Sequence, residues 1–153
     1  MIKAVLLGAL CATWLWAADV VNGFLGEWKC VRRFENGRHI ETERIRFNPG
    51  SFAFTLSVDI GRGEYSVKGL QIEATGIWKA SGETLVTVVE QIRLKSPGKV
   101  KNINESSLGR LIQSLRNRYL SDPIRIYRIS HIDGGAFGTV SENGQSSEYS
   151  KLH

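Results

Sequence analysis

The chain has 153 residues, enough for one domain and too few for two, and its 42% hydrophobic and 23% charged content is that of a globular protein. A domain of this size buries about 70% of the surface its unfolded chain exposes, so its core needs no covalent staples. The formal charge of +5 comes without a concentrated basic stripe or a recognition motif, which argues against a nucleic-acid partner.

Residues 1–18 read as a secretory signal peptide ahead of a single domain, residues 19–153. Lys3 supplies the positive start, Ala4 to Trp16 is an apolar run, and Ala17 and Ala18 are small residues suited to cleavage before Asp19. The run is shorter than the roughly 20 apolar residues a spanning helix needs. Cleavage near Ala17 or Ala18 predicts an exported protein, periplasmic or secreted. Lipidation at Cys11 is the alternative, but it calls for a small residue where Leu10 stands. Loss of the leader leaves Cys30 as the one thiol, which excludes an intramolecular disulfide and suits a buried, inert side chain.

The pattern then has period two. Glu27 to Glu35 is a strand with Trp28, Cys30 and Phe34 on one side and Arg32 interrupting. Asn36-Gly37 is a strong hairpin signal, Arg38 to Phe47 the second strand, and Asn48-Pro49-Gly50 the next turn. In Ser51 to Ile60, Phe52, Phe54, Leu56, Val58 and Ile60 alternate with small or polar residues, as in a half-buried antiparallel strand. Gly61-Arg62-Gly63 closes it. Glu64 to Lys68 and Leu70 to Lys79 are two short strands, or one bent at Gly69. After Ser81-Gly82, Thr84 to Leu94 is a long β-branched strand.

Ser96 to Ile103 reads as a polar loop carrying Lys99 and Lys101. Asn104 is a helix N-cap, and Leu108, Leu111, Ile112, Leu115 and Tyr119 follow helical spacing until Ser121-Asp122-Pro123 stops them. This amphipathic helix is expected to lie on the rest of the fold. Contact with a membrane surface through Leu108 to Tyr119, with Arg116 and Arg118 snorkelling, is the second choice because the polar face is poor in cations. Three more strands, Pro123 to Ile132, Ala136 to Glu142 and Gln145 to Leu152, are joined by Asp133-Gly134-Gly135 and Asn143-Gly144. Eight or nine short strands linked mostly by hairpins predict an up-and-down barrel or a sandwich.

Catalytic signatures are absent. His39, His131 and His153 are not at metal-ligand spacing, and no serine lies in a nucleophile elbow. Gly61 to Ser66 starts like a dinucleotide loop but has no helix to follow. Asp59, Glu64 and Glu73 read as solvated surface charges. No enzyme activity, metal or cofactor is predicted.

Gly26-Glu27-Trp28 resembles the Gly-x-Trp signature that opens the first strand of lipocalins and lipocalin-like domains. Thr75 to Lys79 with Ser81 to Leu85 is similar to a mid-barrel hairpin of small exported proteins of that group, and Ile126 to Ile129 with Asn143-Gly144 to its closing stretch. The resemblance implies a mainly β fold, an antiparallel up-and-down lipocalin-like barrel of eight or nine strands, with the helix inserted before the last three. It implies that Trp28 closes the barrel floor, that Gly26 admits it, and that a late arginine packs over the tryptophan, with Arg128 the candidate. It also implies a non-catalytic carrier of a small hydrophobic ligand. The candidate ligand-binding residues are Phe52, Phe54, Leu56 and Val58, with Tyr65 and Trp78 nearby. The alternative is a fully packed barrel serving as an interaction module for an envelope protein, through the basic loop Lys95 to Lys101 and the arginine-flanked helix.

Overall fold

The structure is a computed structural model and describes residues 21–153. The predicted leader, its cleavage site and Cys11 lie outside the described residues. The strands are β1 (Gly26–Phe34), β2 (His39–Asn48), β3 (Ser51–Arg62), β4 (Tyr65–Ser81), β5 (Thr84–Ser96), β6 (Lys99–Lys101), β7 (Ile124–Ile132), β8 (Ala136–Ser141) and β9 (Ser146–Lys151). One helix, α1 (Glu105–Leu120), separates β6 from β7.

Eight strands close into an antiparallel barrel. β1 pairs with both β2 and β9, β3 pairs with β4, and β5 passes directly to β7, so the ring carries no free edge. β6 is a ninth strand outside the ring, paired with Ser66–Lys68 of β4. Sequence reading placed it in a polar loop. Three residues, Lys-Val-Lys, are too few to show a period, and their pairing depends on the length of β4.

β4 is one strand, not two. It bends at Gly69, whose φ of +71° favours glycine. The ladder shifts register opposite this point, between Val58 and Ile60, and the skipped Asp59 accepts a hydrogen bond from the Gly69 N–H at 2.6 Å.

Phe52, Phe54, Leu56 and Val58 all point inward and are buried, as their alternation requires. One end of the barrel is sealed by aromatic rings. Trp28 is fully buried, and its indole N–H donates to the carbonyl of Phe24 at 2.7 Å. Phe24 ends a helical turn over residues 21–24 and packs edge-on against Phe47, Trp78 and Phe137. Trp78 donates to the Asn48 carbonyl at 2.7 Å, so both buried indoles have their partner. Between Phe24 and Trp28 the chain turns through Gly26, whose φ of +115° few other residues adopt. The cation over Trp28 is Lys151, its Nζ 5.3 Å from the ring centroid. Arg128 is exposed on the outside of β7, because the inward positions of that strand are 125, 127 and 129.

α1 begins where Asn104 accepts the Ser107 N–H at 2.8 Å. Its apolar face is taken up by the barrel. Leu115 and Tyr119 are buried, Leu108, Leu111 and Ile112 pack against the core, and the Tyr119 ring meets Phe54 with centroids 5.2 Å apart.

Truncation of the floor tryptophan tests this account. Trp28→Ala is expected to lower unfolding free energy by about 3–5 kcal/mol. Trp28→Phe keeps a ring but strips the Phe24 carbonyl of its donor, for a loss of about 1–3 kcal/mol. Urea denaturation followed by circular dichroism separates the two.

Candidate ligand cavity

Inward positions change character along the barrel axis. In β1 they run Trp28, Cys30, Arg32, Phe34 from the floor upward; in β2, read from the floor, they run Phe47, Ile45, Glu43, Glu41, His39. In β7 Ile129 gives way to Tyr127 and Arg125, and in β9 Tyr149 to Ser147. On the side formed by β1, β2, β7 and β9 the barrel is therefore apolar at its floor and polar above it, while β3 stays apolar, with Leu56 and Val58 in register with Glu43 and Glu41. Between the floor and the polar side lies a cavity of about 760 Å³. Phe47, Phe52, Phe54, Leu85, Val89 and Phe137 form its apolar wall. Its mouth is bordered by Glu35, Asp122, Glu142 and Asn143, at the β1–β2 hairpin, the α1–β7 junction and the β8–β9 hairpin.

Two buried carboxylates carry the polar wall. Glu43 is 9% exposed and Glu41 3%. Glu43 accepts from Arg32 at 3.1 Å and from the Tyr149 hydroxyl at 3.0 Å. Arg32 also donates to Tyr149 and to Ser147, each at 3.0 Å, so the guanidinium is held by three groups. Burial opposes the charge on Arg32, but Glu43, Tyr149 and Cys30 outweigh it and hold the guanidinium above its ordinary value. Glu41 accepts from Arg118 of α1, with both carboxylate oxygens 3.0 Å from Nη1. His39 Nε2 lies 3.1 Å from Glu41 without hydrogen-bond alignment. Arg118 is thus turned into the mouth of the barrel, toward Glu41.

Three phenols face this region. Burial, reinforced by the Glu43 charge, pushes Tyr149, Tyr119 and Tyr127 above the ordinary phenol value. Burial likewise raises the Cys30 thiol, which suits a packed and unreactive side chain. Among the described residues no group of three or more His, Cys, Asp or Glu side chains converges as a metal site would.

Of the candidate ligand-binding residues, Phe52 and Phe54 border the cavity. Leu56 and Val58 are fully buried further along β3 and do not line it. Trp78 belongs to the floor cluster and does not line it either. Tyr65 starts β4 beside the β3–β4 turn and is 59% exposed, outside the barrel. Asp59, Glu64 and Glu73 stay off the cavity: Asp59 caps the β4 bend, Glu64 is exposed, and Glu73 meets Arg93 and Lys95 on the outside.

Sequence reasoning missed Arg32, Glu41, Glu43, Arg118 and Tyr149. A signal for most of them was present. Carrying the stripe Phe47, Ile45 back by steps of two lands on Glu43 and Glu41, and the stripe Trp28, Cys30 lands on Arg32.

Fold and cavity together define a closed antiparallel β-barrel with an internal chamber of mixed polarity. No protein-family model matches the chain, and no curated protein is significantly similar to it.

The chamber's chemistry gives two expected outcomes. Arg32→Met strands Glu43 in the interior and is expected to cost about 3–5 kcal/mol, most of it regained in the double variant with Glu43→Leu; urea denaturation of the set checks this. The three raised phenols hold their protons more tightly in the fold than in the unfolded chain. Their contribution to stability is present below the unfolded value near 10 and is lost as pH rises from there toward the folded values. In an alkaline titration, phenolate absorbance from these three is expected to appear only as the barrel unfolds.

Proposed function

We propose that this protein is an exported, non-catalytic, lipocalin-like barrel that binds a small, largely apolar ligand in its chamber. The observation that carries the reading is the cavity of about 760 Å³ between the aromatic floor and the ion-paired rim. Ligand sites typically occupy about 300–1,000 Å³ with mainly apolar walls and a few placed polar groups. The reading also draws support from Trp28 and Gly26, which sit at the floor as lipocalin-like barrels use them. Both interior carboxylates are committed to arginines, which argues for a structural and not a catalytic use of them. The cavity favours a carrier over an interaction module with a fully packed core.

N-phenyl-1-naphthylamine, an uncharged probe that brightens in apolar surroundings, tests the binding half of the proposal. The parent protein is expected to bind it saturably. Thr87→Phe, which projects a ring into the chamber from β5, is expected to weaken binding by about tenfold or more without lowering the melting temperature. An absence of saturable binding, together with a bare mass for protein purified from its own source, would overturn the carrier reading. Export is tested by the N-terminus of the extracytoplasmic form, expected at Ala18 or Asp19.

A further inference from the structure

The charges inside the chamber do not balance. Three arginines line it, Arg32, Arg118 and Arg125. Glu43 pairs with Arg32 and Glu41 with Arg118, and among the described residues Arg125 has no carboxylate partner. Three further acids reach the mouth. Glu35 is paired with Arg62, and Asp122 and Glu142 are exposed to water.

Arg125 is fixed in place without being neutralised. It takes an inward position on β7, alternating with Tyr127 and Ile129. Its guanidinium carbon lies 4.6 Å from the Tyr119 ring centroid, and one amino group donates to the Arg118 carbonyl near the end of α1. Its Nε is buried and has no hydrogen-bond partner. A π face and a backbone carbonyl orient a cation, but neither carries a full counter-charge. Beside it stand Tyr119 and Tyr127, kept as neutral O–H groups by burial. A planar guanidinium that lines the cavity without a counter-charge, flanked by phenols, matches a carboxylate or sulfonate in charge and in hydrogen-bonding character.

We infer that the ligand is an organic anion with a single acidic group, seated against Arg125, and an apolar body reaching Phe47, Phe52, Phe54 and Phe137. One acidic group is assigned because one interior cation is left over. The inference rests on the carrier reading and narrows its ligand class from apolar molecules to anionic amphiphiles.

A matched pair of probes separates the two claims. 8-Anilinonaphthalene-1-sulfonate has the ring system of N-phenyl-1-naphthylamine plus one sulfonate. The parent is expected to bind the sulfonated probe more tightly by about tenfold or more. Arg125→Gln is expected to remove that preference, the sulfonated probe losing about tenfold or more in affinity relative to the uncharged one, whereas Arg93→Gln on the outer surface leaves both as they were. A second measurement needs no variant: decanoate is expected to displace the sulfonated probe from the parent, and decanol to fail. Equal affinity for the two probes, a preference that survives Arg125→Gln in a folded variant, or equal displacement by decanol would overturn the inference while leaving the carrier reading standing. Failure of both probes to bind would overturn the carrier reading, and the inference with it.

Discussion

Closure of the sheet forces every second residue of eight strands into one enclosed space, whatever its chemistry. The rest of the molecule follows from that constraint. At the floor the inward residues are Trp28, Phe47 and Phe137, and they pack as rings do in any dry core. Higher up the same alternation delivers Arg32, Glu41 and Glu43 to the interior. Charges left there alone would be intolerable, so they meet each other. The Arg32–Glu43 pair ties two neighbouring strands, and Tyr149 adds a third. The Arg118–Glu41 pair reaches across to the helix and sets where α1 sits on the barrel, alongside the Tyr119–Phe54 contact.

Much of this was legible in the chain. Alternation in Ser51 to Ile60, the turns at Asn36-Gly37 and Asn143-Gly144, and the Asn104 cap each reflect local chemistry, and local chemistry places strands, hairpins and the helix start within a residue or two. The Gly-x-Trp stretch pointed to a barrel and to Trp28 at its floor. What stayed hidden depends on partners distant in sequence. β6 exists because β4 extends far enough to pair with it. Arg32 looked like a break in an apolar stripe because its partners, Glu43 and Tyr149, lie 11 and 117 residues away. Lys151 takes the place over Trp28 that Arg128 was expected to fill because β9, not β7, is the neighbour of β1.

The candidate site was half legible for the same reason. Phe52 and Phe54 were found because apolar residues at inward positions announce themselves. Tyr65 was expected near the interior but lies beyond it, since β4 begins well outside the closed part of the ring. The acidic and basic residues that give the chamber its character obey the same period as the aromatics. Glu41 and Glu43 were passed over because polar residues usually go with exposure. In a closed barrel large enough to hold a cavity, the two are separate properties.

The position of Trp28 also decides how the molecule can be held. Its bond to the Phe24 carbonyl places the first described turn at the sealed end. At the other terminus Lys151 pairs with Trp28, and the N–H of Leu152 donates to the Glu27 carbonyl. Both ends of the described chain therefore leave from the closed pole, with the mouth at the opposite one. A tether, a fusion partner or a solid support joined at either end of the described chain grips the barrel by its base and leaves the opening free.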